Sequence, residues 1–313
     1  MQISVIMPAY NEERFIAEAI ESVLEQTWRE FELIVLNDGS EDRTREIAES
    51  YARKDSRVRV VSHENMGIAA TLDQGFRQSA NEWVAMIQGD DLMMPDRLEK
   101  QLAFLAAHPE LDVAGGLAKH IDSRGRIIAR DVSLLLSNEA VREQFARNEL
   151  ICFNSSTAIV RKSAVNAVGG YRSQFRVGED MDMWNRLLEN GFKILVQPEY
   201  LAQYRIHSGS VCIARARYIR DQVHWYRDSM LRRRSGQPEL TWEEYLRFRR
   251  ALPWYQRANS WRKDTAKVFY KAAVFHYAER RHLRVGAAVL ASMLLQPGYI
   301  LRQIAAKLEL GRA

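Results

Sequence analysis

Cysteine is scarce: the chain of 313 residues holds only Cys152 and Cys212. That excludes a disulfide framework, and no Cys/His spacing of the zinc-site kind occurs, so both read as small buried side chains. Neither G-x-G-x-x-G nor G-x-x-x-x-G-K-[ST] is present, which removes the dinucleotide fingerprint and the P-loop. Long apolar runs are missing too. Val285–Leu295 falls short of the roughly 20 residues that cross a bilayer. The opening MQISVIMPAY has no charged n-region and no long apolar h-region, so the expectation is a cytoplasmic protein. What remains is a globular composition with enough chain for a sizeable core.

Charge is unevenly placed. Residues 1–207 carry 24 Lys and Arg against 32 Asp and Glu, a net −8. Residues 208–313 carry 21 against 8, a net +13. An acidic body with a basic tail points the tail at nucleic acid, an anionic membrane surface or a polyphosphate.

The first third alternates apolar runs with helical stripes. Ile3–Met7, Phe31–Leu36, Val58–Ser62 and Trp83–Gln88 read as strands. The segments around Phe15–Leu24, Thr44–Arg53 and Ile68–Gln78 read as helices. That rhythm predicts crossover connections, hence an α/β fold with a mostly parallel sheet and helices on both faces. From about Asp112 the rhythm breaks. Strands are expected at Asp112–Ala118, Ile127–Arg130, Ser156–Arg161 and Lys193–Val196, with a helix at Asp180–Asn190. From Ala214 onward only helical patterns appear, interrupted near Gly236-Gln237-Pro238 and Pro297-Gly298.

Polar residues punctuate the strand ends, where an open sheet binds ligands. Asn37-Asp38-Gly39-Ser40 follows the second strand; taken alone it is equally a plain turn. Pro8-Ala9-Tyr10-Asn11 ends the first strand, with Asn11 able to cap a helix. Gln88-Gly89-Asp90-Asp91 ends the fourth. Adjacent carboxylates repel unless a cation sits beside them, and a hard divalent ion suits oxygen ligands. Glu179-Asp180-Met181-Asp182 opens a helix, where the helix dipole favours acids and a general base is the functional alternative. His207, in Tyr204-Arg205-Ile206-His207, is either a ligand or a surface histidine.

Taken in order, P-A-Y-N, V-L-N-D-G-S-x-D-x-T, E-N-x-G, G-D-D-x-x-x-P, G-E-D-x-D-x-W-x-R-L and Y-R-x-H resemble the family 2 glycosyltransferases of the GT-A fold, over roughly residues 2–210. The resemblance implies a GT-A domain at 1–210 and a basic, helical region at 211–313 facing membrane or acceptor. It implies a nucleotide diphosphate sugar donor (a UDP-sugar among the candidates) held by Pro8, Ala9, Tyr10, Asp38 and Gly67, with Asp38 on the base. It implies a divalent metal, Mn2+ or Mg2+, at Asp90 with His207 beside the diphosphate, and Asp91 next to the donor. Asp180 would be the catalytic base, with Glu179 the second candidate. Its pKa would be raised by desolvation and by its acidic neighbours Glu179 and Asp182.

The chain departs from the family pattern in places. Gln88 stands where an acid often completes D-x-D. Leu72-Asp73 replaces a usual Arg-Asn pair, with a change of donor choice as one consequence. No Q-x-x-R-W follows the base region, which implies the non-processive bacterial type. The implied reaction is inverting transfer to a glycan or lipid-linked acceptor in surface polysaccharide assembly. The alternatives are a sugar nucleotidyltransferase, a non-catalytic sugar-nucleotide or membrane-tethered scaffold module, and a nucleic-acid binder. The first lacks its Gly-rich basic loop, and no nucleic-acid motif is present. In the tail, Trp225, Trp242, Trp254 and Trp261 interleave with Arg232-Arg233-Arg234, Arg249-Arg250 and Arg262-Lys263. That pattern suits peripheral contact with the anionic inner face of the cytoplasmic membrane, or equally a helical cap on the catalytic domain.

Overall fold

Ile3–Ala9 (β1) is buried at every position, and Phe31–Asp38 (β2) at all but one. Unbroken apolar burial, rather than alternation, is what a parallel strand covered on both faces requires. The computed structural model describes residues 2–298 except Val132, Leu134, Arg176, 208–215 and 279–281. Between β1 and β2, Ile16–Leu24 (α1) buries Ile16, Ala19, Ile20 and Val23 on one stripe. Thr44–Ala52 (α2), Val58–His63 (β3), Ile68–Gln78 (α3) and Trp83–Met86 (β4) complete the expected rhythm.

The chain continues through Leu92–Met93 (β5), Arg97–Ala107 (α4), Val113–Ile121 (β6), Ile127–Arg130 (β7) and Asn138–Ala146 (α5). Then come Ile159–Arg161 (β8), Lys162–Ala167 (α6), Glu179–Glu189 (α7) and Ile194–Arg205 (β9). The described remainder is helical: Ala216–Arg234 (α8), Trp242–Ala251 (α9), Trp254–Ala278 (α10) and His282–Leu295 (α11).

The sheet runs β3-β2-β1-β4-β8-β6-β9-β5, with β7 beside β6. Strands β1 to β4, β6 and β9 point one way, and β5, β7 and β8 the other. The mostly parallel α/β sheet expected from the alternation is therefore present. Helices cover both faces. A Cβ on Gly75 of α3 would meet Ile6 and Leu36, whereas Ile16 of α1 sits with Ala9 around Gly89. Ile6 and Ala9 are an odd number of residues apart on β1, so they point to opposite faces.

Two strands differ from expectation. β9 runs on past Val196 to Arg205 although Pro198 lies inside it. Its pairing with β6 shifts register between Gly115 and Leu117. An irregularity there accommodates a residue without a donor N–H. The other strand, expected from Ser156, starts at Ile159, because Ser155–Thr157 winds into a 3-10 turn. Asn154 Oδ1 accepts from Ser156 N at 2.9 Å, and the Thr157 hydroxyl lies 2.7 Å from Asn154 O and 3.0 Å from Gly116 O.

The chain divides into two compact units, Met1–His207 with Gln222–Gln237, and Ser208–Asp221 with Pro238–Ala313. The later part of α8 thus belongs to the sheet unit. There Trp225 is 2% exposed and packs on Phe175 with ring centroids 4.8 Å apart. Arg232 pairs with Asp228, Arg233 with Glu189, and Arg234 donates to Phe145 O and Asn148 Oδ1. For Trp225 and Arg232–Arg234 the packing is that of a helical cap, the second of the two readings that the sequence left open.

Arg97, a buried cation of the sheet unit, has no exposed surface. Its guanidinium donates to Ser156 O, to Met86 O at 3.0 Å, to Ala158 O at 2.9 Å and to Gln101 Oε1 at 2.9 Å. Burial pulls its pKa down to about 9, against which the nearby Asp91 charge acts. Arg97→Leu strands the carbonyls of Ser156 and Met86, while Ala158 O keeps only Met86 N, and it removes one of the two cations near the buried Asp91. The expected loss is about 3–5 kcal/mol, read from urea unfolding with the m-value unchanged. A loss below about 1 kcal/mol would mean that water replaces the guanidinium.

Candidate active site

The crevice is built where β1, β2 and β4 end. Asn11 adopts φ 56°, a left-handed conformation that asparagine tolerates. Its side-chain oxygen accepts from Glu41 N at 2.8 Å, and its own N–H donates to Ser40 Oγ at 3.1 Å. Glu12 N donates to Thr44 Oγ1 at 2.7 Å, and Glu13 N to Asp42 Oδ2 at 3.0 Å. The loops after β1 and β2 are thereby sewn together. Gly89 N donates to Pro8 O at 3.1 Å, and a Cβ on Gly89 would stand 2.9 Å from Ala9 Cβ. Only glycine lets the exit of β4 lie this close to β1.

Asp38 is 5% exposed. Its two oxygens accept from Met66 N at 2.7 Å and Gly67 N at 3.0 Å, and its own carbonyl accepts from Asn65 Nδ2 at 3.0 Å. Asp38 therefore clamps the 65–67 loop that starts α3. Each oxygen keeps a lone pair for a further donor. Gly67, at φ 85°, caps the helix. Pro8 and Ala9 are buried within β1, while Tyr10 stands 45% exposed at its exit.

Asp90 and Asp91 part company. Asp91 has no exposed surface, and its oxygens accept from Ser156 Oγ at 2.5 Å and Arg205 N at 2.8 Å. It ties the β4 exit to the 3-10 turn and to β9. Burial, then the charge of Asp90, push its pKa up. It lies wholly inside the protein, because these two partners hold it inward. Asp90 Oδ2 lies 3.2 Å from His207 Nε2. Glu12 joins them: one ligand atom from each of Glu12, Asp90 and His207 lies within 4.8 Å of the others. Burial, then the charges of Asp90 and Asp42, push Glu12 up to about 8. Arg205 fixes the floor, donating to Asp90 O at 2.9 Å and Glu18 Oε2 at 2.8 Å, and both Arg205 and His207 pack on the Phe15 ring.

Glu12 escaped the sequence reading. It lies 78 residues from Asp90 and passes for one of several acids at a helix start. The signal available was the fifth residue of P-A-Y-N-E, which follows the first strand directly.

Glu179 and Asp180 open α7 behind Gly178, which is left-handed at φ 70°. Burial and the Asp180 charge push Glu179 up to about 8. Burial pushes Asp180 up to about 6, against hydrogen bonds from backbone N–H groups, Met181 N at 2.7 Å among them. Asp182 is not part of that effect. It is ion-paired with Arg172 and with Arg186 at 2.8 Å. Two guanidiniums neutralise it, and burial alone raises Asp180, which corrects the expectation that Glu179 and Asp182 do so. Asn185 of α7 accepts from Ile151 N at 3.2 Å, so α7 is anchored to the segment that carries Ser156.

Leu72 is fully buried, and Asp73 accepts from Tyr171 N at 3.1 Å. Asp73 holds α3 to the Gly169-Gly170 loop, while Leu72 sits in the core.

The pattern described as glycosyl transferase family 2 matches residues 4–169, just over half of the chain. EpsE of Bacillus subtilis (strain 168), named as a glycosyltransferase, is 38% identical over 196 residues, 61% of this chain and 68% of that protein. The amylovoran biosynthesis glycosyltransferase AmsE of Erwinia amylovora is 29% identical over 237 residues, 74% of this chain and 87% of that protein. Among solved structures, S. aureus TarS 1-349 in complex with UDP-GlcNAc aligns with TM-score 0.58 at 19% identity, covering 96% of this chain and 92% of that one. In a longer TarS structure the chain spans 55% of the length, at TM-score 0.54. The mannosyltransferase PcManGT of Pyrobaculum calidifontis, in complex with GDP-Man and Mn2+, aligns with TM-score 0.55 at 16% identity, covering 94% and 86%. At these identities the structural likeness speaks for the fold, which is of the GT-A kind.

Asp38→Asn turns one accepting oxygen into an amide that faces a backbone N–H donor. The expected loss is about 1–3 kcal/mol, with faster proteolysis in the 64–67 loop. Unchanged melting and proteolysis would show that the clamp contributes nothing.

Proposed function

The chain belongs to glycosyl transferase family 2 and is a glycosyltransferase, and from that premise we propose that it moves one sugar per encounter, with inversion, from a nucleotide diphosphate sugar to an acceptor hydroxyl. The observation that carries this reading is the Glu12, Asp90 and His207 cluster at the mouth of the parallel strands. Two carboxylates and an imidazole suit Mn2+ or Mg2+ at the donor diphosphate. The raised Glu12 is the electrostatic mark of a place that a cation neutralises. Glu12 would supply the second acid that Gln88 does not. When bound there, the ion lends Lewis-acid neutralisation to the departing diphosphate.

The protein's own groups do the rest. Tyr10, Asp38 and the 65–67 loop border the nucleotide. Asp180 takes the acceptor proton as the acceptor oxygen bonds to the anomeric carbon. The bond from that carbon to the phosphate oxygen breaks, and its electron pair leaves with the nucleoside diphosphate. A base raised to about 6 is ionised at neutrality yet basic enough to accept the proton. Glu179, higher still, stays largely protonated below about 8 and is the second candidate.

The acceptor class is a glycan or lipid-linked glycan of surface polysaccharide assembly, in line with the biosynthetic name of AmsE. The reading includes work on the cytoplasmic side, in peripheral contact with the membrane. A non-catalytic scaffold is not favoured, because the relatives carry transferase names.

The test is release of nucleoside diphosphate from a panel of UDP- and GDP-sugars, with and without Mn2+. Asp180→Asn should lower transfer by about 10²–10⁴-fold with donor affinity nearly kept. Comparable turnover would move the base to Glu179. Because Asp180 must be ionised, the rate should fall as pH drops through about 6 and level off above it. A rate independent of pH between 5 and 8 would contradict that assignment. Calorimetry with nucleoside diphosphate should show affinity that depends on a divalent ion and weakens at least tenfold in Asp90→Asn and Glu12→Gln. Equal affinity in EDTA removes the metal from the reading.

A further inference from the structure

Helices α10 and α11 pair the wrong way round for a soluble hairpin. Among the described residues, those they bury are small or polar: Ala266, Ala273, Ala288, Ser292 and Asp264. Ser292 Oγ donates to Ala266 O at 2.7 Å, and Arg262 Nη1 donates to Leu295 O at 2.5 Å, so the two helices are joined by hydrogen bonds. Several large apolar side chains point outward, while Val268, Val285, Val289, Met293 and Leu295 are half-buried. Leu283 is 93% exposed, Leu294 78% and Leu290 60%; Trp254 is 78% exposed and Trp261 55%.

The outward residues are ordered. Leu283, Ala287, Leu290 and Leu294 recur at i, i+4, i+7 and i+11 along α11, and Ala287 is exposed with them. Trp254, Ala258, Trp261 and Thr265 repeat the same spacing along α10. That spacing makes one continuous stripe on each helix. Scattered exposed leucines are ordinary; two stripes over a small-residue interface are the packing used where the surroundings are apolar.

The charges choose the surroundings. The described exposed charges on the two helices are all basic: Arg257, Arg262, Lys263, Lys267 and Arg284. Asp264, the one acid in α10, is 5% exposed and accepts from Ser260 Oγ at 3.2 Å. A second copy of this chain would bring the same cations against these cations. A nucleic acid would leave the leucines in water. An anionic bilayer surface satisfies both features: tryptophan sits at the headgroup level, leucine enters the acyl boundary, and arginine and lysine meet lipid phosphates.

We infer that the outward faces of the α10–α11 hairpin form an interfacial membrane-binding surface for anionic lipid. This deepens the membrane-side reading given above. It rests on Trp254, Trp261, Leu283, Leu290 and Leu294, not on Trp225 or Arg232–Arg234. The surface lies on the bilayer and does not cross it, since no described helix is long and apolar enough to span. Each basic residue near anionic lipid contributes about fivefold in partition, so binding is salt-sensitive.

The test is flotation of the full chain with vesicles of phosphatidylglycerol and phosphatidylcholine, and with phosphatidylcholine alone. The wild type should float with the anionic vesicles, weakly at high salt, and not with the neutral ones. Trp254→Ala/Trp261→Ala and Leu290→Ser/Leu294→Ser should each partition at least tenfold more weakly, with melting and nucleotide-sugar turnover in solution unchanged. Absence of flotation with anionic vesicles at low salt overturns the inference, as does flotation that both variants retain. Sedimentation velocity covers the second copy: a wild-type oligomer that becomes monomeric in the variants without any lipid binding gives the face to self-association and overturns it. Flotation without turnover of any donor leaves the membrane surface standing and removes the catalytic reading; turnover without flotation does the reverse.

Discussion

A guanidinium with no exposed surface sits where the parallel and antiparallel parts of the sheet meet. Arg97 reaches it from α4 and donates to carbonyls on both sides of the β4–β8 seam, at Met86 and Ala158, and to Ser156 in the turn before β8. A cation so placed costs several kcal/mol to desolvate and persists only because every neighbour is an acceptor. Asp91 lies close enough for its charge to act on the guanidinium and holds Ser156 and the Arg205 backbone. Arg205 in turn reaches the carbonyl of Asp90 and the carboxylate of Glu18. One chain of contacts thus runs from the sheet interior to the rim of the crevice. It fixes which of the two adjacent carboxylates faces outward.

The acids Glu12, Glu179 and Asp180 are held differently. Glu12 is raised by burial and by Asp90, and Glu179 and Asp180 are raised by burial. Asp182, two residues past Asp180 in α7, is clamped by Arg172 and Arg186 and serves the fold. Acids that cannot be told apart by type are separated by whether a guanidinium reaches them. That contrast gives the proposed base its basicity near neutrality while its neighbour carries structure.

The basic tail divides by the same criterion. Arg232, Arg233 and Arg234 find carboxylates or carbonyls, and Trp225 is buried against Phe175. The α10–α11 hairpin has almost no acids to pair with and keeps Trp254, Trp261, Leu283, Leu290 and Leu294 outside. A charge count over the tail merges these two populations.

The alternation of apolar runs and helical stripes, with Asn-Asp-Gly-Ser and Gly-Asp-Asp at strand ends, determined the α/β order and the crevice loops. Periodicity is local, and buried parallel strands announce themselves by continuous apolar burial. Strand β9 runs beyond the expected Lys193–Val196, and only pairing with β6 shows that it continues past Pro198. Asp90 and His207 were legible from their motifs, but Glu12 was not, since its nearness to Asp90 depends on β1 and β4 lying side by side. The pairing of Asp182 with arginines, the inward turn of Asp91 and the split of the tail also rest on contacts between residues far apart in the chain. Motif and period are written in neighbouring residues; burial and charge compensation arise only when distant segments meet, and those were decided by the tertiary structure alone.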